Sequence, residues 1–145
     1  MSNLDIKAAI IAGSVIGVLI LIGLRWKLPR RLDVRKFISE WEDLQTLCKD
    51  KATWPQALQR ADTLLDIALK RRKFKGKSLG ERLVSAQRAL TNNDSIWAAH
   101  NLSKKVITST ITRPPKASVK AALVAYRQAL IDLGALPNGQ SKKAE

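Results

Sequence analysis

The sequence predicts an all-α protein, with an N-terminal transmembrane helix followed by a compact bundle of about five helices. Three observations predict this. Ala8 to Leu24 is an uninterrupted run without a charged side chain, and at a rise of about 1.5 Å per residue roughly 17 to 25 mostly apolar residues cross a hydrocarbon core. Beyond this run apolar residues recur three and four apart, with no strand-like alternation bounded by hairpin turns. The roughly one hundred residues that follow suffice for one small core and not for two. The expected organisation is therefore a membrane anchor with a basic juxtamembrane flank over 1–32, a cytoplasmic helical bundle over 33–136 and a polar tail over 137–145.

The first element reads as an uncleaved anchor. A secretory signal wants a cationic start, a shorter apolar stretch and a small-x-small cleavage site. Here the start carries one Asp and one Lys, and the run ends in Arg25-Trp26-Lys27-Leu28-Pro29-Arg30-Arg31. Lys7 can snorkel at one end and Trp26 can sit in the interface at the other. Lys7 stands alone before the span, whereas Arg25, Lys27, Arg30, Arg31, Arg35 and Lys36 crowd its exit. Cationic flanks stay in the cytoplasm, which predicts a single-pass inner (plasma) membrane protein with its N-terminus outside and its C-terminal domain cytoplasmic. Gly13, Ser14 and Gly17 place small residues on one face, a pattern that lets two anchors pack as a homodimer.

The next helix is expected from Asp33 to Lys49, with Val34, Phe37, Ile38, Trp41, Leu44, Leu47 and Cys48 on one face. Cys48, the single cysteine, reads as a small buried apolar residue and cannot form an internal disulfide. Thr53-Trp54-Pro55 has the form of a helix start, Thr53 capping and proline in the first turn. Trp54, Leu58, Ala61, Leu65 and Ala68 continue that helix to about Arg72. Lys73 to Lys77 breaks the period and is expected as a loop. Ser78 to Glu81 matches the Ser-x-x-Glu capping box, opening a helix that carries Leu79, Leu83, Ala86 and Leu90 inward. After Asn92-Asn93-Asp94 a further helix restarts at Ser95, with Ile96, Ala99, Leu102 or Ser103, Val106 and Ile107 as its inner face. Arg113-Pro114-Pro115 enforces an extended break. The last helix spans Lys116 to Leu133, with Val119, Leu123, Tyr126, Leu130 and Leu133 in register and Gly134 as its C-terminal cap. Trp41, Trp54 and Trp97 fall on or beside these stripes and read as core side chains with the indole N–H bonded at the edge.

The formal net charge is +14, and its densest part is Lys70, Arg71, Arg72, Lys73, Lys75 and Lys77. Three uses fit this cluster. Cations form a solvated face or complement the carbonyl end of a helix, they attract anionic lipid beneath a cytoplasmic leaflet, and they grip RNA or DNA phosphates. With Arg25, Lys27, Arg30 and Arg31, these residues are the lipid- or phosphate-contact candidates. Signs of catalysis are few. His100 is the only histidine, so no His pair or Cys-His cluster for zinc can be assembled. Gly76-Lys77-Ser78 lacks the upstream glycine and preceding strand of a phosphate loop. Asp62 and Asp66 read as solvent-facing acids, the second four residues before Lys70. No cofactor or metal is implied.

Thr53-Trp54-Pro55, Ala61-Asp62, Leu64-Leu65-Asp66, Ala68-Leu69, Lys75 to Leu83 and Ile96-Trp97-x-Ala99-His100 resemble uncharacterised single-pass membrane proteins of small-genome candidate-phylum bacteria, whose soluble part is similar to a HEPN-like helical bundle. The likeness covers most of 33–135. It implies that HEPN ribonucleases, which cleave RNA with an Arg and a His a short gap apart, share this shape. Ala99, His100 and Leu102 match the pattern, while Ser103 stands for the Arg, Lys104 for an Asn and Thr108 for the second His. The resemblance therefore implies a HEPN-like bundle without the usual catalytic pair, in which His100 bonds within the bundle. The expected function is a non-enzymatic scaffold that meets a protein partner at the membrane. The alternative is a membrane-localised nucleic-acid binder using Lys70 to Lys77, Lys104, Lys105, Arg113 and Lys116.

Overall fold

The computed structural model describes residues 2–27 and 31–139. Arg30 and the end of the polar tail lie outside the described residues, as do the side chains of Trp26 and Lys27. Among the described residues all regular structure is helical: α1 (Asn3–Lys27), α2 (Val34–Leu47), a short 3-10 turn (Lys51–Thr53), α3 (Trp54–Arg71), α4 (Leu79–Ser85), α5 (Asn93–Ile107) and α6 (Lys116–Asp132). The chain divides into two compact units, Met1–Arg30 and Arg31–Glu145. In the first, Asn3–Arg25 is long and apolar enough to cross a membrane and none of its most apolar stretch is buried. The space beside Gly13 and Gly17 is open.

In the second unit α3 is the central helix and packs against α2, α4, α5 and α6. Its sequence explains this position. Ala57, Leu58, Ala61, Leu65, Ala68 and Leu69 are completely enclosed; the alanines let neighbouring helices approach, and each leucine contributes about 1.5–3 kcal/mol by leaving water. Phe37, Trp41 and Leu44 close the core from α2, Ile96, Ala99 and Val106 from α5, and Val119, Tyr126 and Leu130 from α6. The core cluster lies wholly within Phe37 to Leu136.

Caps set the boundaries. Asp33 accepts from the Lys36 N–H, Asn92 from the Ser95 N–H and Ser78 from the Glu81 N–H, so each satisfies a free donor of a new helix. At their C-termini α3, α5 and α6 end alike. Phe74 N–H donates to Leu69 C=O, Thr110 N–H to Lys105 C=O and Ala135 N–H to Leu130 C=O. The residue before each donor is left-handed: Lys73 at φ 65°, Ser109 at 56° and Gly134 at 75°. This is the Schellman arrangement, for which glycine is the unstrained choice. Only α6 uses one.

Several sequence expectations are corrected. Thr53 precedes α3 but does not cap it by side chain; its hydroxyl instead donates back to Leu47 C=O and Asp50 C=O, closing the 3-10 turn. Glu81 reaches past Ser78 to the Lys77 N–H at 2.7 Å. Helix α4 stops at Ser85, after which i→i−3 bonds carry the chain through tight turns that still bury Leu90; Asn93 Nδ2 holds the Gln87 carbonyl there. Helix α5 starts two residues early because Asn92, not a later residue, is its cap. Ile107 is 53% exposed, because it lies one position past Val106 at the end of the buried stripe.

Candidate functional site

The α3–α4 loop is a surface feature held to the bundle by several hydrogen bonds. Phe74 packs against the core and turns the chain inward, leaving Lys73, Lys75 and Lys77 exposed at alternate positions. The loop backbone is fastened to α4 residue by residue. Ser85 Oγ donates to Lys75 C=O at 2.6 Å, Arg82 Nη1 donates to Gly76 C=O, and Lys77 N–H donates to Glu81. Gly76 sits at φ +154°, and a Cβ there would lie 2.7 Å from the Arg82 backbone nitrogen. Only glycine lets the loop lie so close to α4. The result is a fixed ridge of three outward lysines.

The six clustered cations do different things. Lys70 pairs with Asp66 at 2.7 Å across one helical turn. Arg72 Nε donates to Leu133 C=O at 2.8 Å, supplying a cationic donor to the carbonyl end of α6 as the helix dipole favours. These two are committed to the fold. Arg71 lines a groove of about 470 Å³ between α2 and α3, together with Lys36, Arg60 and Glu40. The N-terminal turn of α2, the C-terminus of α3 and the lysine ridge therefore share one end of the bundle. Lys116 and Arg113 line a cleft with Asp50 and Trp54, at the α2–α3 turn and hence at the opposite end of α3. Arg31 is exposed just before α2, and Arg25 is exposed on α1.

Asp62 and Asp66 are not solvent-facing, a correction to the sequence reading. Their side chains are only 15% and 18% exposed, because each follows a core residue, Ala61 or Leu65, on the same flank of α3. Arg82, 6% exposed, places Nε 2.7 Å and Nη2 2.6 Å from Asp66 Oδ1, so α4 is tied to α3 by a buried ion pair. Asp62 Oδ1 receives the Tyr126 hydroxyl at 2.7 Å and His100 Nδ1 at 2.9 Å, joining α3, α5 and α6 through one carboxylate. Burial, and then the Asp62 charge, push the Tyr126 hydroxyl far above its ordinary range, so it remains a donor. Trp97 meets His100 edge-on at 6.1 Å. Ser103 is completely enclosed, and Thr108 Oγ1 bonds back to Lys104 C=O at the end of α5.

Trp54 Nε1 donates to Cys48 C=O at 3.0 Å, whereas the buried Trp41 Nε1 has no partner. Burial pushes the Cys48 thiol up, which holds it in the unreactive protonated form. Among the described residues no group of three His, Cys, Asp or Glu side chains is placed to hold a metal ion. The Arg82–Asp66 and Tyr126–Asp62–His100 contacts were missed by sequence reasoning. A signal existed: a tyrosine inside an apolar stripe needs a buried acceptor. The chain matches no protein-family model, no curated protein and no solved structure.

Proposed function

We propose that this chain is a non-enzymatic helical module held on the cytoplasmic face of the inner membrane, where it brings a protein partner to the bilayer. The observation that carries the reading is α1: a helix of membrane-crossing length whose apolar side chains find no burial within the protein needs another apolar medium. The basic exit of the span supports the inward orientation. The Tyr126–Asp62–His100 contacts support a structural use of the lone histidine, since its Nδ1 is held by the one carboxylate that joins three helices. A groove between α2 and α6 supports the interaction role. Trp41, Leu44, Trp54 and Leu123 give it an apolar floor, Lys116, Lys120 and Arg127 rim it, and among the described residues no acid lines it. A partner helix with an apolar stripe flanked by carboxylates complements it.

The HEPN-like resemblance is part of the same proposal and is consistent with an inactive site, because the position of the cleaving Arg is the enclosed Ser103. The nucleic-acid alternative is weaker on geometry: Lys73 to Lys77 and the Arg113–Lys116 group lie at opposite ends of α3, not along one groove. The experiment is extraction of the full chain from cell membranes. It should resist high salt and alkaline carbonate and yield only to detergent, while Ile16→Lys with Leu19→Lys, costing about 2.5–3.5 kcal/mol each at a span centre, should release a folded protein. Recovery of the unaltered chain in the soluble fraction would contradict the proposal.

A further inference from the structure

We infer that the end of the bundle formed by the start of α2, the end of α3 and the α3–α4 loop is a phosphate-binding surface for anionic phospholipid headgroups, with Lys73, Lys75 and Lys77 as its central ridge and Lys36 and Arg71 beside it. The inference rests on the membrane-tethered reading above and adds a lipid class and a set of contacts to it.

Three observations carry it. The acids at this end are outnumbered: Asp66 is paired with both Arg82 and Lys70, Asp33 and Glu81 are held on backbone N–H groups, and Glu40 is the acid that lines the groove beside Lys36 and Arg71. Among the described residues the ridge lysines make no ion pair. Their backbone is fixed by the bonds at Lys75, Gly76 and Lys77 rather than by their own charges, so no loop-ordering cost is added to that of the lysine side chains when all three meet an anionic plane. Finally, Lys73 occupies a left-handed position at φ 65° where glycine would relieve strain, so the fold gains nothing from a lysine there. The source of phosphate follows from connectivity. The linker between Lys27 and Val34 is short, and α2 begins at this same end, so a tethered chain holds these cations within reach of headgroups throughout its life. Attraction at a membrane surface corresponds to roughly fivefold in binding per lysine.

The test uses the full chain reconstituted in nanodiscs of phosphatidylcholine alone or mixed with phosphatidylglycerol, with lysine acetylation rates read by mass spectrometry. Lys36, Lys73, Lys75 and Lys77 should be acetylated at least fivefold more slowly with phosphatidylglycerol, the protection vanishing in high salt, while Lys116 and Lys120 keep their rates. Reversing the ridge as Lys73→Glu, Lys75→Glu and Lys77→Glu, all at exposed positions, should abolish protection of Lys36. Equal rates in the two lipids, or equal protection at both ends of the bundle, would overturn the inference. Equal protection by soluble glycerol phosphate added to phosphatidylcholine discs would assign the surface to a free anion and overturn the lipid source; stronger protection by a single-stranded RNA would overturn it in favour of nucleic acid. Failure of the chain to enter the discs contradicts the tethered reading itself, whereas entry without selective protection contradicts only this inference.

Discussion

At the scale of the residue, buried polar side chains hold the bundle together, and each can be probed singly. Arg82→Ala leaves Asp66 without its buried partner and Gly76 C=O without a donor; a loss of about 3–5 kcal/mol is expected in denaturant unfolding. Tyr126 gives a pH signature. Its hydroxyl loses its proton at the ordinary value of 10.0 in the unfolded chain but keeps it in the folded one. Below that value both states are protonated and stability is unaffected; above it only the unfolded state ionises, so stability falls by about 1.4 kcal/mol per pH unit. Tyr126→Phe should remove that part of the alkaline slope while costing about 1 kcal/mol near neutrality. Ser103→Arg would force a guanidinium into a completely enclosed position and should unfold the bundle rather than confer RNA cleavage, as circular dichroism would show. Helical periodicity made the inward position of Tyr126 legible, whereas His100 lay off the inner face it marked, and only the resemblance implied that it bonds within the bundle. Their shared acceptor stayed unread, because Asp62 and Tyr126 are joined only by tertiary packing.

At the scale of the element, caps and glycines explain both the agreement and the errors. Asp33, Ser78 and Gly134 announce boundaries through side-chain chemistry or backbone freedom, and α2, α4 and α6 begin or end beside them. The end of α4 was illegible because Leu79, Leu83, Ala86 and Leu90 keep a helical spacing that tight turns satisfy equally well. Two glycines four residues apart, one in the loop and one in α4, make contrasting predictions. Gly76→Ala strains a positive φ and drives a Cβ into the backbone of α4, so a loss of about 1–3 kcal/mol in thermal unfolding is expected. Gly80→Ala lies inside α4, where the added Cβ would meet Trp97 at 3.5 Å, an ordinary contact; a gain of about 0.5–1 kcal/mol follows from reduced unfolded-state freedom. Lys73→Gly should likewise stabilise the bundle by about 1 kcal/mol, while weakening the lysine ridge.

At the scale of the whole molecule, the chain combines a helix whose most apolar stretch is unburied with a bundle whose core cluster lies within Phe37 to Leu136. Composition made that division readable, since one segment lacks charge and the other alternates apolar stripes with cations. The allocation of those cations was not readable: sequence proximity groups Lys70 to Lys77, whereas packing commits Lys70 and Arg72 to Asp66 and Leu133 and leaves the lysine ridge outside. The central claim is that Ala8 to Leu24 lies in lipid with the bundle on the cytoplasmic side. The most direct measurement is protease digestion of the full chain in membrane vesicles of both orientations, with the released fragments read by mass. Cleavage within Arg31 to Lys77 in inside-out vesicles, and its absence in right-side-out vesicles, is the predicted result. Cleavage of the bundle from the outer face, or equal cleavage in both preparations, would contradict it.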